Sequence, residues 1–374
     1  MSKKYDIAAY IWPSYTGDEP RSRIFWPEGY GEWQTVKAAG AKYPGHEWPR
    51  KPLWGYVNEA DPYVMGMQID CAADHGVNVF IYDWYWYDGR PFLEQCLDNG
   101  FLKAKNNSRM KFYLMWANHD AGMLWDKRNS GNGSTVVWRG AASEKDFDII
   151  CDRWIDMYFT RDNYYKINGE PMVMIYDIAN FIATFGSIEA AGRGVDRLRE
   201  KCVKAGLPGI HMQLCQWQPS FAKGRFNGVG VEPVELTPDA FARMGFESST
   251  NYQFVHFVHI DRDYNEIVKD ARAAWDKFAA LYPGKDYFPH VSVGWDTNPR
   301  YIDTVGGVVK NNTPENVKNA LAAARAYVDS HDLSAPLITV NSWNEWTETS
   351  YLEPDDKYGY GYLEAIREVF QNGD

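Results

Sequence analysis

The sequence predicts an α/β fold, a (β/α)8 TIM barrel with long loops after its strands. Two observations support this prediction. Eight short runs of apolar, β-branched or aromatic residues recur along the chain, and stretches with helical period separate most of them, a pattern typical of βαβ units in a parallel sheet. The length of 374 residues suits one barrel with enlarged loops. We therefore expect a single domain over residues 1–374.

The predicted elements alternate along the chain. The strands are expected at Asp6–Trp12, Val77–Trp84, Lys111–Ala117, Pro171–Tyr176, Ile210–Gln216, Gly228–Val231, Phe288–Gly294 and Pro336–Ser342. The helices are expected at Pro62–His75, Phe92–Lys105, Glu144–Phe159, Ile188–Ala205, Asn265–Leu281, Pro314–His331 and Gly361–Phe370. Ser143 is a suitable N-cap for the third helix, and Gly206 and Pro208 stop the fourth.

The connection after the first strand, residues 13–61, is too long for a simple loop. It is rich in Trp, Pro, Gly and Tyr, a composition unlike that of a disordered segment. Long loops in compact domains are commonly functional. We expect a folded insertion that lies over the mouth of the barrel.

Composition excludes several classes of partner. The chain has 39 Lys+Arg against 50 Asp+Glu, a net charge of −11, so it lacks the basic surplus that binding to nucleic acid or an anionic membrane requires. No apolar run approaches the roughly 20 residues of a membrane-spanning helix, and no signal peptide is recognisable. We expect a cytoplasmic protein, or an exported one if a signal peptide has been removed. The five cysteines form no C-x-x-C pair and are expected to be structural thiols.

Aromatic residues are abundant, with 16 Trp, 25 Tyr and 18 Phe. Many are expected to fill the core. The run Tyr82–Tyr87 would place rings on both faces of a strand, because successive side chains of a strand point to opposite faces. Rings beside carboxylates and amides suit a sugar, which offers apolar C–H faces and hydroxyl edges.

Reacting groups of such barrels lie at the carboxyl ends of the strands. The residues that follow the predicted strands are polar or aromatic, and we interpret them as substrate-binding candidates. They are Trp12, Tyr15, Asp83, Tyr85, Asp88, Trp116, Asn118, His119, Tyr176, Gln216, Glu232, Trp295, Asp296, Arg300, Asn344 and Trp346. For the polar members the alternative is loop turns and surface salt bridges, and for Asn344 and Trp346 it is packing at the rim.

Glu345 and Glu348 are the catalytic candidates. Two carboxyl groups that flank a glycosidic bond supply a general acid for the leaving oxygen and a base or nucleophile at the anomeric carbon. The pair follows the most strand-like run of the chain, with Trp346 between its members. E-x-x-E alone is also found on solvated helix faces and in metal sites, so the pattern leaves those alternatives open.

The C-terminal block resembles that of the WbsX-like proteins, which are related to glycoside hydrolase family 99, the endo-α-mannosidases and endo-α-mannanases. The resemblance rests on Ser342–Glu348, Tyr351–Asp355 and Tyr358–Ala365. Further blocks occur in the order of that family, namely Gly31–Trp33, Tyr43–His46, Phe80–Gly89, Trp116–Asn118, Asn168–Pro171 and Gly294–Arg300. Together they extend the resemblance from about Ile7 to Phe370.

The resemblance implies roles for the two glutamates. Glu345 would assist the sugar 2-hydroxyl in attacking the anomeric carbon, giving a 1,2-anhydro intermediate, and Glu348 would be the general acid/base. In that cycle Glu348 starts protonated and Glu345 starts ionised. The chain departs from relatives at Thr349, where Gly is frequent, at Asp83-Trp84, where Tyr-His is usual, and at His119, where Glu is common. These departures concern the substrate more than the chemistry.

No cofactor or metal is expected. His256 and His259 lie on an apolar stretch, where packing histidines are commoner than metal ligands, and no phosphate loop, dinucleotide fingerprint or nucleophile elbow is present. The leading hypothesis is a retaining glycoside hydrolase acting on an α-linked oligosaccharide or polysaccharide. The alternatives are a glycosyltransferase or polysaccharide-biosynthesis enzyme of the WbsX type, and a non-catalytic carbohydrate-binding protein. The sugar, the linkage, exo or endo action and the oligomeric state stay open.

Overall fold

The computed structural model describes residues 5–132, 134–221, 223–224 and 234–371. Nine parallel strands form its main sheet. They are β1 (Asp6–Ile11), β2 (Val79–Tyr87), β3 (Lys111–Trp116), β4 (Glu170–Ile175), β5 (His211–Cys215), β6 (Phe246–Thr250), β7 (Asp286–Tyr287), β8 (His290–Ser292) and β9 (Leu337–Asn341).

The sheet closes into a ring. Strands β1 to β7 pair in chain order, and β1 also pairs with β9, which pairs with β8. Because β7 and β8 are halves of one extended segment interrupted only at Phe288-Pro289, the two edges of the sheet meet in that segment. Hydrogen bonds join this interruption to the strands on either side. Phe288 N donates to Ser249 O of β6 at 2.9 Å, and Thr339 N of β9 donates to Pro289 O at 3.1 Å. The ring has eight positions, which confirms the predicted (β/α)8 barrel.

Helices connect the strands. They are α1 (Trp33–Lys37), α2 (Pro62–Asp74), α3 (Glu144–Trp154), α4 (Ile178–Phe185), α5 (Ile188–Lys204), α6 (Pro238–Arg243), α7 (Tyr264–Leu281), α8 (Pro314–Ser330) and α9 (Gly361–Phe370), and α1 lies in the insertion after β1. The strands are buried on both faces, so they appear in the sequence as continuous apolar runs. Among the described residues, no helix has both the length and the apolar character that crossing a membrane requires.

Local sequence signals explain where the helices begin. The Ser143 hydroxyl accepts a hydrogen bond from Asp146 N, and the Asp146 carboxylate accepts one from Ser143 N. This capping box starts α3. Asp61 and Thr313 cap α2 and α8 in the same position, each followed by proline. Six of the seven predicted helices are therefore found with ends shifted by at most a few residues; α3 continues as a wider turn over Ile155–Phe159.

The helix predicted at Phe92–Lys105 begins later than expected and is irregular. The end of β2 remains extended beyond Trp84 and pairs antiparallel with Arg90–Phe92 through a turn at Asp88-Gly89. The chain is thereby held in a hairpin where the helix was expected to begin. A π-helix at Cys96–Gly100 and a 3-10 helix at Phe101–Lys103 follow, so the rest of the predicted segment is helical without forming a regular α-helix.

The strand predicted at Gly228–Val231 lies outside the described residues. The sixth position of the barrel is occupied by β6, which was not predicted because it carries Ser248, Ser249 and Thr250 in place of an apolar run. These polar side chains are tolerated in the core because they are paired: the Thr250 hydroxyl donates to Phe288 O at 2.9 Å. Helices α4 and α6 were also not predicted.

The insertion 13–61 is folded, with a short turn at Pro20–Ile24 followed by α1. Its Trp33 is fully buried and packs between Tyr15, with ring centres 4.1 Å apart, and Trp346, at 5.9 Å. The insertion therefore lies against the C-terminal block, on the carboxyl side of the strands.

Candidate active site

A cavity of about 260 Å³ opens at the carboxyl ends of the strands. Its walls combine aromatic rings with carboxyl, imidazole and guanidinium groups. The lining residues are Trp12, Asp83, Tyr85, Met115, Ala117, His119, Leu124, Trp125, Tyr176, Trp217, Tyr252, Arg300, Glu345 and Glu348. Apolar faces with a few convergent polar groups are the usual composition of a small-molecule site.

Arg300 joins the two glutamates of the C-terminal block. Its Nη2 lies 2.6 Å from Glu345 Oε1 and its Nη1 lies 2.6 Å from Glu348 Oε1. Its Nε faces Glu32 Oε1 at 3.4 Å, and the other oxygen of Glu32 accepts from Trp12 Nε1 at 2.5 Å. One buried guanidinium thus faces three buried carboxyl groups, so the cluster carries surplus negative charge unless it keeps protons.

The electrostatics favour retained protons. Burial raises the pKa of Glu345 well above its ordinary value; the charge of Glu348 adds to the rise and Arg300 opposes it. Burial also raises the pKa of Glu348, and there again Arg300 is the main opposing influence. Like charges in a low-dielectric site cannot all ionise together, so the site holds at least one transferable proton.

Tyr252 connects Asp83 to the same pair. Its hydroxyl lies 3.1 Å from Asp83 Oδ2 and 3.3 Å from Glu345 Oε2. Burial raises the pKa of Asp83 well above its ordinary value, although the Tyr252 hydroxyl lowers it. Because one hydroxyl hydrogen cannot serve two carboxylates, the arrangement is satisfied when protonated Asp83 donates to Tyr252 and Tyr252 donates to Glu345.

Two buried carboxyl oxygens at this cavity lack a hydrogen-bond partner among the described residues. They are Asp83 Oδ1 and Glu348 Oε2. Unsatisfied buried acceptors are rare in folded proteins, since each costs about 1–3 kcal/mol. Both oxygens are therefore suited to hydroxyl groups of a ligand.

His119 and three rings shape the outer wall. The His119 Nδ1 lies 2.9 Å from the Asp120 carbonyl, which can only accept, so Nδ1 carries the hydrogen and Nε2 is an acceptor. Burial lowers the pKa of this histidine, which favours that neutral form. Its ring contacts Tyr85, Trp125 and Tyr176 edge-to-face, with centres 5.4–5.7 Å apart.

A buried polar network supports the block that carries the glutamates. Asn344 Nδ2 donates to Glu59 Oε2 at 2.9 Å, and Trp346 Nε1 donates to Glu353 Oε2 at 2.6 Å. The Gln68 amide donates to both Glu59 and Glu353. Burial raises the pKa of Glu59 to about 7 and that of Glu353 well above its ordinary value, so this carboxyl pair also retains protons.

The structure brings eight of the predicted residues together at the cavity. They are Trp12, Asp83, Tyr85, His119, Tyr176, Arg300, Glu345 and Glu348. Glu232 lies outside the described residues. The other candidates lie away from the cavity, each for a local reason.

Strand parity accounts for Trp116. Met115 and Ala117 line the cavity, so Trp116 between them points outward and packs on Phe147 and Trp154 beneath α3. Asp88 occupies the hairpin turn with a φ of 55° and is exposed.

Five further candidates hold loops in place. Asn118 exchanges two bonds with the backbone of Asp177, and Gln216 Nε2 donates to Gln218 O and Ser220 O. The Tyr15 hydroxyl accepts a hydrogen bond from Trp346 N. The Asn344 side chain accepts from Trp12 N and donates to Trp12 O. Trp346 itself stacks on Tyr351 with ring centres 3.8 Å apart.

Trp295 and Asp296 line a second cavity of about 340 Å³. There Asp296 Oδ2 lies 2.6 Å from His46 Nε2, and its backbone N donates to Glu348 O at 2.7 Å. Thr349 also lines this second cavity and directly follows Glu348 of the first. It adopts a φ of 55°, a left-handed conformation that favours glycine, and its hydroxyl donates to Asp296 O at 3.0 Å.

Sequence reasoning missed several residues at the site. Tyr252 follows β6 by two positions and was lost with that strand. Trp125 lies in the loop after β3. It is too far along the chain from the strand end to be found among the residues that directly follow a predicted strand. Glu32 is part of the Gly31–Trp33 block, and this block was the available signal for it.

The fold and the site define the chain as a (β/α)8-barrel protein with paired carboxyl groups in an aromatic cavity. It belongs to the family described as Glycosyltransferase WbsX, whose model matches residues 7–366. Two curated relatives, both named uncharacterized protein WxcX and both from strains of Xanthomonas campestris pv. campestris, are 26% identical over 353 residues, which is 94% of this chain and 47% of theirs. The chain thus spans about half the length of these relatives.

Solved structures of glycoside hydrolases share the fold. The GH99 endo-alpha-mannosidase from Bacteroides thetaiotaomicron aligns with a TM-score of 0.59 and 13% identity over 98% of this chain and 96% of that one. A glycoside hydrolase-like protein aligns with a TM-score of 0.62 and 13% identity over 99% and 94% of the two chains. At this identity the likeness establishes the architecture.

Proposed function

We propose that the protein is a retaining glycoside hydrolase that cleaves an α-linked glycan with a free 2-hydroxyl, mannoside-like or of a related sugar. The observation that carries the proposal is the binding of Glu345 and Glu348 to one guanidinium in the wall of a single aromatic cavity. The relation to GH99 structures and the residue matches in the C-terminal block support the same reading.

Hydrogen-bond donors distinguish the two glutamates. Glu345 accepts a hydrogen bond from Arg300 on one oxygen and from Tyr252 on the other. Both donors stabilise its ionised form and so oppose the burial and the charge of Glu348, which raise its pKa. Glu348 accepts a hydrogen bond from Arg300 on Oε1, and its Oε2 has no hydrogen-bond partner among the described residues. Glu348 is therefore the carboxyl group that can hold a proton on a free oxygen, which is the requirement for a general acid.

In the first step, Glu345 accepts the proton of the 2-hydroxyl as O2 attacks the anomeric carbon. The bond to the leaving oxygen breaks, and this oxygen takes the proton of Glu348. In the second step, Glu348 removes a proton from water, which attacks the anomeric carbon. The bond from this carbon to O2 breaks, and Glu345 returns its proton to O2. Both glutamates regain their starting states and the product keeps the configuration of the substrate.

The cavity also supports action on a short stretch of glycan. Its volume of about 260 Å³ lies below the roughly 300–1,000 Å³ of sites for drug-sized ligands, which favours exo action on one terminal sugar. The Trp12, Tyr85 and Trp125 rings offer apolar faces to the sugar ring, and Asp83 and His119 offer acceptors to its hydroxyl groups.

The test is hydrolysis of a panel of defined α-linked oligosaccharides, with the length of the products as readout. Release of monosaccharide by the wild-type protein, and its loss in Glu345→Gln and Glu348→Gln, is the expected result. Tyr113→Phe is a matched control, because Tyr113 is buried in the barrel and is not part of the cavity wall. Absence of cleavage across the panel with folded protein contradicts the proposal.

A glycosyltransferase is the second candidate, favoured by the description of the family. Sugar nucleotides would then stabilise the protein against thermal unfolding by RT ln(1+[L]/Kd), whereas free oligosaccharides would be the stabilising ligands of a hydrolase. A thermal-shift comparison of the two ligand sets separates the candidates.

A further inference from the structure

Three side chains converge at the face of the barrel opposite the candidate active site. Glu170 begins β4, His211 begins β5 and Glu247 is the second residue of β6, so all three lie at the amino ends of neighbouring strands. One ligand atom from each lies within 4.8 Å of the others. They border a cavity of about 610 Å³.

The imidazole is oriented for ligation. His211 is buried, its Nε2 lies 2.8 Å from Ser248 Oγ, and its Nδ1 lies 3.1 Å from Glu247 Oε2. When Nε2 donates to the serine hydroxyl, the Nδ1 lone pair is directed toward the carboxylate, and a cation between the two satisfies both. A second polar partner that fixes the tautomer is typical of metal-bound histidines.

The backbone around Glu170, His211 and Glu247, here called the triad, places the two carboxylates close to the imidazole. The pairing of β6 with β5 shifts register between Phe246 and Ser248, which leaves Glu247 as the extra residue of a bulge. A Cβ atom at Gly209 would lie 2.3 Å from Glu170 Oε1, so the absence of a side chain there makes room for this carboxylate.

Negative charge is in surplus at this cavity. Glu170, Glu247, Asp286 and Asp332 line it, with Lys285 as the cation among the lining residues and Arg199 nearby. The two carboxylates therefore repel each other, and a bound cation relieves this repulsion.

We infer that Glu170, His211 and Glu247 form a zinc site that ties together the amino ends of three barrel strands. One imidazole nitrogen and two carboxylate oxygens suit Zn²⁺, which takes nitrogen and oxygen ligands at about 2.0–2.2 Å, with water as a fourth ligand. Glu170 and Glu247 are partly exposed and can rotate to reach these distances. The site is independent of the proposed hydrolase activity, because it lies at the other end of the barrel.

The test is calorimetric titration of the chelator-treated, dialysed protein with zinc chloride. The wild-type chain is expected to bind one Zn²⁺ saturably, and Glu247→Gln, which keeps the size of the side chain, to bind at least tenfold more weakly. Asp332→Asn borders the same cavity outside the triad and is expected to bind as the wild type does. No saturable binding, or equal affinity in Glu247→Gln, overturns the inference.

A second measurement locates the ion. Zinc is expected to raise the thermal unfolding midpoint of the wild type and of Glu345→Gln equally, because Glu345 lies at the opposite face. Loss of the zinc effect in Glu345→Gln, with retention in Glu247→Gln, would place the ion in the catalytic cavity and overturn the inference. Loss in Glu247→Gln alone supports it, whatever the outcome of the hydrolysis assays.

Discussion

Arg300 and Glu345 form a buried ion pair, with 2.6 Å between Nη2 and Oε1. The same guanidinium binds Glu348 through its other terminal nitrogen. A planar fork that bridges two carboxylates sets their relative position and opposes the rise in pKa that burial causes in each. The two glutamates and the guanidinium that bridges them therefore act as one unit.

Replacing Arg300 by Lys keeps the charge but removes the fork. A single ammonium group can satisfy only one carboxylate well, so the pKa of the other rises further. Since Glu345 must be ionised to act as base, the acidic limb of the kcat/KM profile is expected to move to higher pH, and kcat/KM to fall about 10²-fold or more. A pH–rate profile measures both; an unchanged acidic limb would contradict the role given to Arg300. Arg109→Lys, on the surface, is the control.

Glu348→Gln removes the transferable proton while keeping size and hydrogen bonding. Turnover of substrates with poor leaving groups is expected to fall by about 10²–10⁴-fold. An activated aryl glycoside needs little protonation and is expected to lose much less. Equal rates of wild type and variant on both kinds of substrate would show that Glu348 is not the acid.

Tyr252→Phe deletes the hydroxyl that links Asp83 to Glu345. Glu345 then loses a donor to its ionised form, and kcat is expected to fall about tenfold, since a hydrogen bond to a charged group contributes about 1.5–3 kcal/mol. The check is kcat of Tyr252→Phe beside that of Tyr113→Phe, a buried tyrosine below the cavity. Parallel behaviour of the two variants would remove Tyr252 from the mechanism.

The Glu59–Glu353 pair makes stability depend on pH. Burial raises the pKa of folded Glu59 to about 7, above the roughly 4.3 of an unfolded glutamate, so the folded state holds more protons between these values. Stability from this group is present at low pH and is lost as pH rises through that window. Glu59→Gln is expected to gain stability relative to the wild type by up to about 1.4 kcal/mol per pH unit between pH 5 and 7.

Urea unfolding at several pH values measures this difference, with Glu266→Gln, exposed on α7, as the control. A constant difference between Glu59→Gln and the wild type across the window would mean that the pair titrates alike in both states.

Much of the barrel could be predicted because its strands are apolar on both faces. The runs that contain β1 to β5 and β9 are recognisable as strands to within three residues at either end. Strand β6 was missed because the barrel interior there is polar. The hydroxyl groups of Thr250 and Thr339 are hydrogen-bonded at 2.8 Å, and a strand with such polar side chains lacks the apolar run by which the other strands were recognised. Pro289 interrupts β7 and β8, which shortens both.

Site residues could be predicted where a residue at the end of a strand also points to the inner face of the barrel. Asp83 and Tyr85 lie two positions apart on β2 and both line the cavity, whereas Trp116 is one position out of phase on β3. Tyr252 needed the location of β6, and Trp125 needed the path of a loop. Neither is encoded by local spacing, because both reach the cavity through tertiary packing.

Hydrolysis with retention by the Glu345–Glu348 pair is tested most directly by ¹H NMR of the first-formed anomer during cleavage of an α-linked oligosaccharide. The α-anomer is expected to appear first and to convert to the β-anomer only by later mutarotation, with product formation greatly slowed in Glu345→Gln and Glu348→Gln. The β-anomer appearing first would contradict retention and make Glu345 the base for a water molecule.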